Sequence, residues 1–110
     1  MTPTRTAFVT GATKGIGLAV TRQLQNAGWN VVGVARHPVD GFPGRLLICD
    51  LADLAQTETM LHSLLPGLQI DAVVNNAGIA MPQKLEDVDL RSLESVFALN
   101  VRTAVHITQA

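Results

Sequence analysis

Thr10-Gly11-Ala12-Thr13-Lys14-Gly15-Ile16-Gly17 is the stretch on which the reading of this chain turns. An apolar run, Thr6-Ala7-Phe8-Val9, leads into it. A helical pattern leaves it, with Ile16, Ala19, Val20, Leu24 and Ala27 near one face. Strand, glycine-rich turn and helix together make an anion cradle. Glycines let the backbone approach a pyrophosphate, and the new helix offers free N–H groups and the positive end of its dipole. The glycines stand at 11, 15 and 17, which is not the Gly-x-Gly-x-x-Gly spacing of the common dinucleotide fingerprint. A tight strand-to-helix turn with no ligand therefore stays open until the rest of the chain is read.

Outward from this turn the pattern alternates. A first strand is expected over Thr4 to Thr10 and a helix over Gly15 to Ala27, with Gly28 as its stop. Asn30 to Ala35 reads as a strand buried on both faces, as strands of parallel sheets are. His37 to Gly44 holds two prolines and two glycines and reads as a loop, short for a full crossover. Arg45 to Cys49 is a third strand. Leu51 to Leu65 is helical, with Leu54, Leu61, Leu64 and Leu65 on its buried side and Pro66-Gly67 ending it. Ile70 to Val74 is a fourth strand, followed by Asn75-Asn76-Ala77-Gly78. A loop through Met81-Pro82 leads to a last helix starting near Asp89, a suitable N-cap.

Strands alternating with helices mean a doubly wound parallel sheet of the Rossmann type, three layers deep. In such sheets ligands sit beyond the carboxyl ends of the strands, where strand order reverses. The distinctive glycine and polar residues of this chain gather at those ends: Thr10-Gly11, Ala35-Arg36, Cys49-Asp50 and Asn75-Asn76.

Composition narrows the function. Across 110 residues, hydrophobic residues make up 47% and charged residues 15%, enough for a buried core and against disorder. A net charge of −1 with no Lys/Arg cluster gives no case for nucleic acid or a membrane surface as partner. Cys49 is the only cysteine, which fits a reducing compartment. Met1 to Thr6 has no long apolar core and no run approaches membrane-spanning length, so a cytoplasmic location is expected. No cluster has metal-ligand spacing. His62 and His106 are expected at the surface or in packing, and Ser92, Ser95, Glu94 and Asp87 in a solvated helix start. Residues 101–110 run in a helical pattern with no stop signal, so one domain spanning 1–110, incomplete at its C-terminal side, is expected.

The Thr10 to Gly17 turn and the Asn75-Asn76-Ala77-Gly78 run together resemble the two cofactor motifs of the short-chain dehydrogenase/reductase family. Asp50 after the third strand and Asn100 in the last helix match two further positions. The resemblance implies a nicotinamide dinucleotide held by Gly11, Thr13, Lys14, Gly15, Ile16 and Gly17, with Asn76, Ala77 and Gly78 along the ribose and nicotinamide. It implies that Asp50 accepts from the adenine amino group with the Leu51 backbone alongside. The plainer alternative for Asp50 is an N-cap of the helix starting at Leu51. Asn100 would bend its helix and hold a water of a proton relay, as one of the catalytic residues.

Cofactor type is read from the second strand. NAD enzymes place a carboxylate at its end, on the ribose 2′-hydroxyl. Here Val34-Ala35 is followed by Arg36, with no carboxylate before Asp40. The Arg36 fork suits a 2′-phosphate, with Lys14 as a second cation, so NADP(H) is expected over NAD(H). The family implies hydride transfer between that cofactor and a small carbonyl or alcohol substrate, through a tyrosine acid/base and a nearby lysine. This chain has no tyrosine. The 110 residues alone are therefore expected to be inactive, and oligomers are expected only of a complete chain. A dinucleotide-binding sensor without chemistry and a truncated product without activity stay as alternatives.

Overall fold

The computed structural model describes residues 4–78 and 85–110, so the Met81-Pro82 loop expected from sequence lies outside the described residues. Four strands, β1 (Thr6–Thr10), β2 (Asn30–Ala35), β3 (Arg45–Ile48) and β4 (Ala72–Val74), form one sheet. Their order is β3-β2-β1-β4, and every neighbouring pair is parallel. The order reverses between β1 and β4, as a doubly wound sheet requires. In register, Thr6 pairs with Asn30 and Ala7 with Ala72. β2 occupies the residues its two-sided apolar pattern predicts.

The other strands are shorter than expected, for reasons visible at their ends. Asp71 turns its carboxylate to accept from the Thr6 N–H at 2.8 Å, so regular pairing starts only at Ala72. Cys49 still donates its N–H to the Ala35 carbonyl at 2.9 Å but lies past the last strand residue.

Helix α1 (Gly15–Asn26) packs on one side of the sheet. Its inward residues are Gly17 and Thr21, with Leu24 half-buried. Ile16, Ala19 and Ala27 are exposed, contrary to the apolar face counted from sequence. A glycine at the contact lets the helix sit so close that large side chains are turned aside. On this side Ala7, Val9, Ala12 and Val31 are buried, with Trp29 and Phe42 packed against them. Arg5 stacks over the Trp29 ring at 5.8 Å.

The opposite side carries α2 (Leu54–Leu64) and the last helical run. Phe8, Val32, Val34, Cys49, Leu51, Leu61, Leu64 and Ile107 form its core. Burying one such large apolar side chain is worth roughly 1.5–3 kcal/mol. α2 begins three residues later than expected. The Asp50 carboxylate takes the Ala52 N–H at 3.0 Å and holds Leu51-Ala52 in a turn. Asp53, not Asp50, caps the helix, accepting from the Gln56 N–H at 3.0 Å. Leu54 is 43% exposed, so the buried side is carried by Thr57, Leu61 and Leu64.

The last run is α3 (Leu90–Phe97), a π turn over Ala98–Arg102, and α4 (Thr103–Gln109). Asp89 is its N-cap, accepting from the Arg91 N–H at 3.0 Å, as the sequence predicts. Thr103 and Ile107 face the sheet, while Leu90, Phe97, Val101 and Val105 are exposed. Among the described residues no helix is long and apolar enough to cross a membrane.

Candidate functional site

The glycine-rich turn leaves β1 at Gly11, whose φ of 62° is a left-handed conformation that favours glycine. The Gly11 N–H donates to the Val34 carbonyl at 3.0 Å, tying the turn to β2. A Cβ on Gly17 would be driven into the Gly11 carbonyl and within 2.6 Å of the Asn76 amide nitrogen. The start of α1 thus packs directly on the turn. Gly15 differs: its φ is 51°, yet nothing lies within 4 Å of where a Cβ would stand. That glycine serves conformation and open approach rather than packing. Lys14 is the N-cap residue, extended, and lends no side-chain bond to the helix start. The first turn of α1 has no acidic residue either. Its N–H groups and dipole are left for an anion.

The end of β4 is built around Thr10, which opens the glycine-rich stretch but has no role assigned from the sequence. Its hydroxyl accepts from the Asn76 N–H at 3.1 Å and the Ala77 N–H at 3.0 Å, and donates to the Val74 carbonyl at 3.5 Å. One proton and two lone pairs are all used. A buried threonine at the carboxyl end of a strand, just before a glycine, was the available signal. The two adjacent asparagines part ways. Asn75 donates to the Thr108 hydroxyl at 3.1 Å and Asn76 to the Gly11 carbonyl at 3.2 Å. Gly78 meets the last helical run, since a Cβ there would stand 2.9 Å from Asn100 Oδ1.

Asn100 sits within the π turn, so the helix is distorted at the residue where a bend is expected. The Thr103 hydroxyl serves the loosened turn, reaching the Ala98 carbonyl at 2.8 Å and the Leu51 carbonyl at 2.6 Å. Thr57 also reaches the Leu51 carbonyl, at 3.4 Å, and Arg102 donates to the Ala52 carbonyl at 2.9 Å. The Leu51-Ala52 turn is thereby fixed from α2 and α4 together.

A cleft of about 510 Å³ runs across these strand ends. Gly11, Thr13 and Lys14 line one part of it, Arg36 and His37 another. Asp50 and Leu51 line its floor, and Asn76, Ala77 and Gly78 the β4 side. Gly17 is buried beneath the turn, Gly15 and Ile16 are exposed at the helix start, and Asn100 backs Gly78 from behind. Ser95 and Leu99 also line the cleft. Ser95 is therefore not confined to a solvated helix start: it lies on the inner side of α3, half-buried. Cys49 is buried in the floor, and burial pushes its thiol above its usual range. The Asp50 and Asp53 charges push the same way, against a hydrogen bond with Thr57. Among the described residues no three side chains are placed to hold a metal ion.

A dinucleotide fits what is present. The cleft is bordered by the turn that leads into an uncapped helix start, by two cations and by a carboxylate. Residues 5–110 match the sequence profile described as short chain dehydrogenase. The chain belongs to this family. Among short chain dehydrogenases and their relatives, it is 38% identical over 112 residues to L-xylulose reductase of Mesocricetus auratus, covering 96% of this chain and 45% of that protein. It is 35% identical to a probable NADP-dependent dehydrogenase of Haemophilus influenzae, over 96% of this chain and 46% of that one. A short-chain dehydrogenase from Streptomyces avermitilis shares its fold with a TM-score of 0.89 at 27% identity, over 99% of this chain and 43% of the other. The chain thus spans less than half the length of the relatives it matches.

Proposed function

We propose that this chain is the cofactor-holding part of an NADP(H)-dependent oxidoreductase. In the whole protein, hydride would pass between the nicotinamide and a small carbonyl or alcohol substrate. The observation that carries the cofactor choice is Arg36. It stands directly after β2, lines the cleft together with Lys14, and has no carboxylate in the place where an NAD enzyme carries one. A guanidinium fork and an ammonium suit a 2′-phosphate dianion and give nothing comparable to a bare hydroxyl. The relative named as a probable NADP-dependent dehydrogenase supports the same choice.

The remaining residues divide the work. The open start of α1 and the Gly15 backbone receive the pyrophosphate. Asp50 spends Oδ1 on the Ala52 N–H, which leaves Oδ2 to accept from an adenine amino group. Gly78 keeps the β4 end low enough for a nicotinamide ribose to lie against it, with Asn100 behind. The bound cofactor supplies or accepts the hydride. The acid/base proton must come from outside these residues, since the 110 contain no tyrosine. Cofactor binding without turnover is the expected behaviour of the isolated chain. Carbonyl reduction above background by the purified 110-residue chain would contradict that division of labour.

The cofactor choice is tested by titrating both dinucleotides into the full-length protein. NADP⁺ should bind about 10- to 150-fold more tightly, the worth of a hydrogen bond to a charged group. Arg36→Asp should reverse the order. Equal or tighter NAD⁺ binding by the unaltered protein sinks the reading.

A further inference from the structure

We propose that Phe42 is a positioning residue for 2′-phosphate recognition, a plug that holds the Arg36–His37 segment in place. The proposal rests on the NADP(H) reading above and goes beyond it, because Phe42 itself does not line the cleft.

Between β2 and β3 there is no helix among the described residues, only the loop 36–44. Cover over this part of the sheet is thin, with Val39 40% and Ile48 51% exposed. One aromatic ring fills the gap. Phe42 is half-buried and packs with the cluster of Ala7, Val9, Ala12 and Val31. Gly33, in the middle of β2, has no side chain where the ring lies. A Cβ at that position would stand 2.5 Å from Phe42 Cζ and 2.8 Å from the Ala12 Cβ. Ring, β2 and glycine-rich turn therefore meet at one point. Ala12 belongs to the segment that carries Lys14, and Phe42 to the loop that begins with Arg36. The ring joins the two segments that bear the two cations.

Little else holds that loop. Outside the sheet ladder, its hydrogen bond to another element among the described residues is a single one, from Gln25 Nε2 on α1 to the Pro43 carbonyl at 2.6 Å. Gly44 then passes close to β2, where a Cβ would stand 2.7 Å from the Val31 carbonyl. The exit of the loop is pinned next to Phe42, while residues 36–41 make no hydrogen bond outside the sheet ladder among the described residues. The glycine-rich turn has independent supports, in the Gly11 bond to Val34 and the Asn76 bond to Gly11. Loss of the ring should loosen the Arg36 side and leave the pyrophosphate cradle standing. The consequence is selective: a charge-assisted contact to a 2′-phosphate depends on placement, whereas the pyrophosphate contacts common to both dinucleotides do not depend on this loop.

The experiment is isothermal titration of NADP⁺ and NAD⁺ into the full-length protein and into Phe42→Ala and Phe42→Leu. Amide exchange of residues 36–41 and a thermal melt accompany each variant. Phe42→Ala should cut the NADP⁺/NAD⁺ preference by about ten-fold, with NAD⁺ affinity within about two-fold of the parent. Exchange over 36–41 should quicken. Phe42→Leu, which keeps apolar bulk, should stay folded and lose only about two- to three-fold of the preference. If the folded variants lose both dinucleotides in equal measure, or keep the full preference, Phe42 is ordinary core and the proposal is overturned. A parent protein without NADP⁺ preference is a different result, since it removes the Arg36 reading on which the proposal stands.

Discussion

The two sides of the cleft are built in opposite ways. On the β4 side, backbone and side chains interlock: Thr10 holds Asn76 and Ala77, Asn76 holds Gly11, and Gly17 presses against the same carbonyl. On the β2 side, Arg36 and His37 are exposed on a loop that, among the described residues, is held by one ring and one hydrogen bond to another element. Rigidity has been spent on the side proposed to meet the groups that both dinucleotides share. Freedom remains on the side proposed to choose between dinucleotides. Substitutions on the first side should therefore show as lost stability, and on the second as altered selectivity with stability intact.

The largest effect is expected at Gly17. An alanine there must push its methyl into the Gly11 carbonyl, and the relief has to come from backbone on both sides. Gly17→Ala should cost about 3 kcal/mol, the upper part of the usual overpacking range, and abolish binding of both cofactors. Urea denaturation reads the loss, and parental stability would break the contrast. Next comes Thr10→Val, which keeps the shape and removes the hydroxyl that two N–H groups share. A cost of about 2 kcal/mol is expected for the buried donors left unpaired, with Thr10→Ser recovering most of it.

A smaller effect should appear at the cleft floor. Burial holds the Cys49 thiol above its usual range. Above that usual range the unfolded chain gives up the proton while the folded chain keeps it. Stability should fall as pH rises there, until the folded thiol ionises as well. Comparing urea midpoints at about pH 8 and about pH 10, the parent should lose more than Cys49→Ala. An equal loss would mean the thiol ionises freely in the fold. The smallest effect on stability belongs to the open side. Arg36→Ala should leave the unfolding midpoint within about 0.5 kcal/mol of the parent while weakening NADP⁺. A large loss of stability would show that Arg36 is structural, and would erase the difference between the two sides.

Sequence reading recovered the parts of the fold in which pattern and burial coincide. Val31 to Val34 is apolar because both faces are covered there, and the limits of the strand, Asn30 to Ala35, agree with the pattern. Asp89 was legible as a cap because it stands directly before a helical period that begins at Leu90. Errors arose where small residues do the packing. Counting apolar positions along α1 favoured Ile16 and Ala19, but the contact is made by Gly17 and Thr21, which hydrophobicity does not register. At Asp50 and Asp53 two possible caps stand three residues apart, and only the turn at Leu51-Ala52 decides between them. The bonding role of Thr10 was not legible because its partners lie 66 and 67 positions away, beyond any local window. Of the site, the glycine turn and the Asn76 to Gly78 run were visible as motifs. The roles of Phe42 and Gly33 exist only once β2 and the loop are side by side.

Strand β1 pairs on one flank with residues that follow after a single helix, and on the other with β4, where Thr6 bonds Asp71 across 65 positions. This sets an order of assembly. During synthesis the β1–β2 seam can close early, while the β1–β4 seam must wait for the later segment, on the order of seconds at ordinary elongation rates. Through that interval β1 presents a bare row of N–H and C=O groups and an apolar flank, the situation in which a nascent chain pairs with the wrong neighbour. The Thr10 hydroxyl cannot receive Asn76 and Ala77 until that second seam has closed. The cleft is accordingly among the last parts of the described chain to take shape, and a chain stalled before residue 72 would carry the glycine-rich turn with one side of its site still to come.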